Sequence, residues 1–529
     1  MIAVGPWELT KPALSSAGGI VASQSVRAAQ AGAAILGAGG NAVDAAIATG
    51  LALAACEPWM SGLGGCGYMV IQPADGAPAS LVEFGVVAPR DIDPARYAIV
   101  PGGEADDALF GWPRVMEDRN VIGADSIAVP GYIDGVALAR EKFGRLPWAE
   151  LVMPAVALAE QGIRLDWFGA LSIAAAASLL AHFPASRRQY LAHGFPPLPE
   201  GEGRATYLPL GELAKTLKHL AAAGPRDFYE GEIARSMVGE LRAAGSRIGL
   251  ADFADYRARV VPALEFDYRG RRIATAADLT AGPTLRRVMG ALERRPLSGK
   301  TLKDADYLAY ASALRRANDE RLAHDGEAGD AKGGDGKAGR ESCTSHLSVV
   351  DRDGMMVALT QTLLSRFGSG ILLPSTGIMM NNGMMWFDPR PGRANSIAPG
   401  RRPLANMCPV VVRHEGEPWL ALGASGGRRI LPAVTELLSF TIDYGMDLQM
   451  AFHQPRLDES ARGIVTIDGR LSESLARLIA GELGPVEKGA ADVFPMLFAN
   501  PSAVMRRDAV NTGMGEVTSP WSGAAAEKR

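Results

Sequence analysis

Thr344 opens the run Thr344-Ser345-His346-Leu347-Ser348-Val349-Val350-Asp351, directly after a stretch from Asp325 to Cys343 made almost entirely of Gly, Asp, Lys, Ala and Glu. Such a stretch has too little apolar surface to offset its ordering entropy, so it is expected to be mobile. A hydroxyl residue heading a β-rich segment right behind it suggests a chain cut at that point, which would make Thr344 a new N-terminus. An N-terminal threonine carries its own general base, because its α-amino group has a reference pKa of about 7.7 to 8.0. That amine can take the hydroxyl proton and activate the nucleophile. Within this window alone, a linker running into an ordinary strand reads the same way.

A second segment competes for the nucleophile. Gly423-Ala424-Ser425-Gly426-Gly427 fits a Gly-x-Ser-x-Gly elbow, with strand pattern before it and helix pattern after it. A Ser425 hydrolase would need an acid and then a histidine well downstream. Only His453 follows, a few residues beyond Asp443 and Asp447, which leaves little chain to close a triad. The same glycines have another use, since successive backbone N–H groups at a strand-to-helix turn can form an oxyanion hole for a nucleophile supplied elsewhere. They also suit a plain tight turn. The loop Gly62-Leu63-Gly64-Gly65-Cys66-Gly67 fails as a phosphate loop: no Gly-Lys-Ser/Thr follows, and the order is helix, loop, strand.

The elements that would position these residues are partly legible. Asn41 and Asp44 have N-cap chemistry, and the Ala-rich stretch from Ala45 to Cys56 is apolar nearly all round, so this helix is expected to be buried. A strand is expected over Tyr68 to Ile71, helices over 131–162 and 211–244, and a strand pair near Leu264 to Ala276. After Thr344 the texture changes. Ser345 to Val350 and Met355 to Thr362 flank an Asp-Gly turn at Asp353-Gly354, and Met407 to Val412 and Trp419 to Leu422 flank His414 to Glu417. A helix is expected from Arg428 to about Tyr444. This order suits a layered sandwich of sheets and helices better than a doubly wound parallel sheet.

Composition excludes several classes. The 529 residues are 47% hydrophobic and 21% charged with a net charge of −4, which describes a soluble globular protein. There is no basic footprint for nucleic acid and no basic membrane patch. The four cysteines are scattered and the seven histidines lack metal-ligand spacing, so neither a structural metal, a cofactor nor a disulfide framework is expected. The first residues, Met1-Ile2-Ala3-Val4-Gly5-Pro6-Trp7-Glu8, lack a basic region followed by an apolar one. The expected location is the cytoplasm.

Motifs along the chain resemble the γ-glutamyltransferase family: Gly39-Gly40-Asn41-Ala42-Val43-Asp44-Ala45-Ala46, the Gly62 to Gly67 loop, Val129-Pro130-Gly131, Phe228-Tyr229-Glu230-Gly231, Thr344-Ser345-His346 through Asp351, Gly377 to Asn382, Arg402-Pro403-Leu404 and Ser425-Gly426-Gly427. They occur in the family's order over roughly residues 18 to 460. The resemblance implies an N-terminal nucleophile hydrolase with an α+β fold, a four-layer αββα sandwich. It also implies a proenzyme that cleaves itself before Thr344 into a large segment, 1–343, and a small one, 344–529, which stay together as one αββα unit. Thr344 matches the family nucleophile, Thr362 the second threonine that bonds the nucleophile's amino end, and Gly426 and Gly427 the oxyanion pair. The implied substrate is a small-molecule amide or peptide.

The substrate residues depart from the family pattern. Where the resemblance places an arginine for the α-carboxylate of a γ-glutamyl group, this chain has Gly85. The acid for the α-amino group is replaced by Trp386, its amide neighbour by Gly383, an asparagine by Leu364 and a serine pair by Ala405-Asn406. Each lost charge-assisted bond is worth on the order of 1.5 to 3 kcal/mol. Two such losses would weaken transition-state binding roughly a hundredfold or more. The segment from Phe387 to Arg402 is also shorter than the loop covering the site in many members. The expectation is therefore an altered, more open acyl pocket, closer to the amide acylases of the cephalosporin type, unless Arg366 or Asn406 rebuilds the clamp. A relative that uses the fold for binding alone also fits the lost clamp.

Overall fold

The computed structural model describes residues 9–102, 110, 112–191, 193–199, 201, 203, 205–296, 299–325, 342–461, 463–490, 493 and 496–528. Most of the expected mobile stretch, 326–341, lies outside the described residues.

Two sheets of seven strands form the centre, and every neighbouring pair in them is antiparallel. One runs, in spatial order, Leu14–Ser16, Val510–Gly515, Asn500–Arg507, Glu417–Ser425, Val410–His414, Arg271–Thr275 and Leu264–Tyr268. The other runs Gly523–Ala526, Ile20–Ser23, Ser342–Val350, Met356–Ser365, Cys66–Gln72, Ser80–Phe84 and Arg259–Pro262. Alternation along each strand splits the apolar residues between two faces. Val349, Val357, Leu359 and Met69 face the helices Val26–Gly37, Ala42–Cys56, Tyr132–Phe143 and Trp148–Gln161. Val350, Met356, Ala358 and Val70 face the other sheet, meeting Val411, Ala421 and Val504. Beyond that second sheet, Val410, Val412, Leu420 and Leu422 pack on Gly282–Glu293, Asp304–Asp325 and Ile430–Ile442. Three apolar layers between four layers of structure make an αββα sandwich, as expected.

The helix Ala42–Cys56 has a full capping box. Asn41 Oδ1 accepts from the Val43 and Asp44 N–H groups, and Asp44 Oδ2 accepts from the Asn41 N–H at 3.0 Å. The helix is buried along almost its whole length and ends beneath the Thr344 strand.

Several elements differ from the expectation in extent. The helical stretch 131–162 is two helices, Tyr132–Phe143 and Trp148–Gln161, broken at Gly144 and Pro147, and 211–244 is three. The short strands at both ends of the chain have no counterpart in the sequence reading. Cys343, expected at the end of a mobile stretch, is a buried strand residue opposite Leu364.

Candidate active site

The Thr344 strand and its neighbour Met356–Ser365 are not in simple register. Cys343 lies opposite Leu364 and Ser345 opposite Gln361, so Thr344 alone faces the pair Thr362 and Leu363. This bulge re-aims the side chains there, a common device beside catalytic groups. Leu364, which closes it, is buried at a φ of +80°, a region that leucine rarely occupies. The strain is held by a hydrogen bond in which the Leu364 N–H donates to Thr362 Oγ1 at 2.8 Å. The Thr362 hydroxyl in turn donates to the carbonyl oxygen of Cys343. Thr344 Oγ1 stands 3.5 Å from Thr362 Oγ1, a loose contact, with Thr344 itself only 4% exposed. With the Cys343–Thr344 peptide intact, the second threonine therefore addresses the carbonyl of that bond rather than an amino end.

The Gly426-Gly427 turn follows the strand Glu417–Ser425, and the Thr344 strand packs both on that strand and on the turn Gly427–Arg429. Gly426 has φ +131° and Gly427 φ +62°, conformations that favour glycine. The Gly426 carbonyl accepts from the Arg429 N–H at 3.2 Å and from Arg429 Nε at 3.4 Å. Arg429 Nη1 also donates to the Met496 and Leu497 carbonyls. Because the C=O and N–H of one peptide unit point in opposite directions, fixing the Gly426 carbonyl fixes where the Gly427 N–H points.

The partners named for a Ser425 triad do not form one among the described residues. His453 spends Nδ1 on the Gln449 carbonyl and Nε2 on the Lys11 N–H. Asp443 is held by Tyr268 and Ser439, and Asp447 caps the helix Leu448–His453. The histidine and acids of the serine reading are thus spent elsewhere.

The six clamp positions converge on one region. Leu364, Trp386 and Ala405 share the buried cluster between the sheets with Tyr68, Phe110 and Trp112. A Cβ at Gly85 would lie 2.8 Å from the Tyr68 hydroxyl, so the tyrosine fills the space where a longer side chain would start. Arg402 comes close to the same point, but its guanidinium donates to the Gly85 and Arg257 carbonyls and to the Tyr256 hydroxyl. A Cβ at Gly383 would meet Ala128 at 2.7 Å and Val86 at 2.8 Å. Asn406 Oδ1 and the Ala405 carbonyl both accept from the buried Arg321, each at 2.7 Å. The oxygen of Asn406 is thereby spent inside the protein. Trp386 is 3% exposed, and its indole N–H has no acceptor among the described residues. Arg366 instead lines a cavity of about 380 Å³ with Ser365, Asn382, His182 and the apolar Val121, Ile122 and Leu179. Its wall at Ser365 lies opposite Ser342, two residues before Thr344.

Two features of the Thr344 strand had no signal in the sequence. The His346 ring lies against Gly423, where a Cβ would come within 2.3 Å of it, and bonds Thr360 and Ser348. Burial pulls its pKa down to about 3, so the ring is neutral. On the opposite face, Ser345 donates to a buried acid, Glu57, at 2.7 Å. Alternation along a strand beginning at Thr344 puts Ser345 toward the helices, but nothing in the sequence names Glu57 as what it meets.

Comparison with known proteins adds independent findings. A family model described as Gamma-glutamyltranspeptidase matches residues 28–332 and 315–491. The chain is 33% identical over 499 residues to the acylase ACY 1 proenzyme of Pseudomonas sp. strain SE83, covering 89% of this chain and 87% of that one. It is 30% identical over 484 residues to the glutathione hydrolase proenzyme of Escherichia coli K12, covering 83% and 80%. In three dimensions it matches a cephalosporin acylase from Bacillus halodurans over 100% of this chain and 99% of that one, with a TM-score of 0.85 at 22% identity.

Proposed function

Since the chain belongs to the gamma-glutamyltranspeptidase family and has the fold of the N-terminal nucleophile hydrolases, we propose that it is a self-cleaving N-terminal threonine amidohydrolase whose acyl pocket is not built for a glutamyl head. The observation carrying this reading is the arrangement at the bulge: a Thr344 hydroxyl beside Thr362, with the Thr362 hydroxyl on the Cys343 carbonyl.

Cleavage begins as Thr344 Oγ attacks the Cys343 carbonyl carbon. The Thr362 hydroxyl, already donating to that oxygen, meets the charge that develops on it. The C–N bond breaks, the nitrogen takes the proton that Oγ gives up and becomes the Thr344 amine, and the acyl part is left as an ester on Oγ. Water hydrolyses the ester and frees the Cys343 carboxylate. In turnover, the Thr344 amine takes the hydroxyl proton while Oγ attacks a substrate amide. The N–H groups of Gly426 and Gly427 hold the oxyanion, and the proton passes to the leaving amine. Water or a second amine then releases the acyl group from Thr344.

The acyl preference follows from the clamp positions. Gly85 has no side chain and the Tyr68 hydroxyl sits where one would start, Leu364 and Ala405 are apolar, and Trp386 offers a donor where an ammonium would need an acceptor. A glutamyl head would be desolvated there without compensation. An acyl group lacking the α-amino and α-carboxylate pair fits better, and the likeness to an acylase proenzyme supports the same direction.

The test uses purified wild type and Thr344→Ala. Intact mass and N-terminal sequencing are expected to give two chains for the wild type, the smaller starting at Thr344, and one chain for the variant. The cut enzyme is then given a γ-glutamyl anilide and glutaryl, aliphatic and aromatic acyl anilides. A γ-glutamyl anilide ahead by tenfold or more in kcat/KM would mean that other residues rebuild the clamp. A cut Thr344→Ala protein would remove the nucleophile assignment.

A further inference from the structure

Behind the Thr344 strand, on the helix side, four side chains form a directional chain of hydrogen bonds. Gln361 Nε2 donates to Ser61 Oγ at 3.0 Å, Ser61 to Ser345 Oγ at 2.9 Å, and Ser345 to Glu57 Oε1 at 2.7 Å. Gln361 Nε2 also donates to the Gly50 carbonyl inside the helix Ala42–Cys56. Ser345 and Gln361 are cross-strand partners next to the bulge. The chain therefore grips the Thr344 pairing at the point where its register shifts.

Its terminus is an unusual place for an acid. Glu57 is the C-cap of the helix Ala42–Cys56, at the negative end of the helix dipole, 5% exposed and without a salt bridge among the described residues. A glutamine would keep most of the hydrogen bonding without the cost of burying a charge. The groups around it are neutral. Burial lifts the Cys56 thiol to about 11 and holds Tyr132 protonated, while Ser61, Ser345 and Gln361 do not titrate in the working range. Burial and the Ser345 hydrogen bond are what act on Glu57, whereas Arg27 acts on the neighbouring Cys56 and donates to Gln161.

We propose that Glu57 is a positioning residue that tunes the Thr344 site through Ser345, holding the nucleophile strand in its shifted register and setting the proton affinity of the amine that cleavage creates. The inference rests on Thr344 being the N-terminal nucleophile. Burial raises the Glu57 carboxyl to about 7, opposed by the Ser345 hydrogen bond, so it changes charge in the range where the amine must lose its proton. An ionised Glu57 favours the ammonium form of Thr344 and a neutral one favours the free base. The two groups titrate as a pair.

The experiment is the pH profile of kcat/KM on full-length, cleaved protein, with wild type, Glu57→Gln and Ser345→Ala. The acid limb reports the amine of the free enzyme. Glu57→Gln removes a negative charge, so the limb is expected to move down by about half a unit to one and a half units. That is the effect of one charge on the order of 10 Å away at an effective permittivity of about 20. KM at the optimum should stay within about twofold. Ser345→Ala removes the bond that favours ionised Glu57, so its limb should move the same way by less, and it carries the test if Glu57→Gln does not fold. An unmoved or raised limb overturns the inference, as does a uniform fall in kcat at every pH, the mark of damaged packing alone. Wild-type protein that stays uncut, or is cut elsewhere, would instead defeat the nucleophile reading before any profile is measured.

Discussion

At the scale of single residues, the site depends on which group holds which proton. Thr362 stands between the Leu364 N–H, which donates to its oxygen, and the Cys343 carbonyl, which accepts from its hydroxyl. Changing it to Val keeps the β-branched shape and deletes the hydroxyl. Thr362→Val is expected to fold, to cleave more slowly by intact mass over time, and to lose about tenfold to a thousandfold in kcat once cleaved, the effect of one missing donor. Unaltered cleavage and kcat would remove Thr362 from the mechanism. Two buried titrations flank the nucleophile and act on stability in opposite directions. His346, pulled down to about 3 from an ordinary 6.5, resists protonation when folded, so stability is lost as pH falls below about 6.5. Glu57, raised to about 7, gives stability that is fully present below about 4.5 and lost as pH rises through about 7. Replacing Glu57 by Gln removes only the second effect. A thermal melt should therefore show Glu57→Gln gaining on the wild type at pH 8 by several degrees, and not at pH 5. An equal change at both would mean that the carboxyl is not titrating in this range.

At the scale of elements, two turns carry the geometry, and they differ in how legible they were. Gly426-Gly427 could be read from the sequence because glycine pairs mark a tight turn between strand and helix. The structure separates their roles. Gly426, at φ +131°, is outside any region an L-residue adopts easily, and a Cβ there would sit 3.0 Å from Ala499 Cα. Gly427, at φ +62°, is in the left-handed region, where a side chain costs about 1 to 2 kcal/mol. Gly426→Ala is thus expected to shift the turn and lower kcat by more than tenfold with little change in KM. Gly427→Ala should be milder, and the reverse order, measured on cleaved enzyme, would misplace the oxyanion donors. The bulge at Thr344 was not legible, because a register shift is a relation between two strands and has no local pattern. For the same reason Cys343 read as the end of a polar stretch, although its pairing with Leu364 makes it strand. The hairpins around Asp353-Gly354 and His414 to Glu417, and the capped helix from Ala42, were readable because their turn and cap residues are local chemistry. Strands of three or four residues such as Leu14–Ser16, Ile20–Ser23 and Gly523–Ala526 are too short to show a period of two. The Ser425 elbow was a correct reading of a local pattern that its distant partners do not support, since His453 is bonded to Lys11 and Gln449.

At the scale of the whole molecule, the proposed cut falls inside a sheet rather than between two bodies. In the sheet holding Thr344, the strand Ser342–Val350, which belongs to the later segment from Thr344 onward, and Met356–Ser365 are flanked by Ile20–Ser23 and Cys66–Gln72 from the earlier one, and Gly523–Ala526 closes the edge beyond Ile20–Ser23. The facing sheet is interleaved too, with Leu14–Ser16 on one side of the later strands and Arg271–Thr275 with Leu264–Tyr268 on the other. Each segment alone would expose rows of unpaired backbone N–H and C=O groups and strip the apolar layer between the sheets of one wall. Cleavage should therefore leave stability nearly untouched, while separation should amount to unfolding. Cleaved protein is expected to elute from a sizing column as one species holding both chains in equal amounts, and to part only at denaturant concentrations that also abolish its circular dichroism. Residues 344–529 expressed alone should be insoluble or unfolded, whereas refolding both chains together should recover activity. A soluble, folded 344–529 fragment, or chains that part in native buffer, would mean that the interleaved strands do not hold the two segments together.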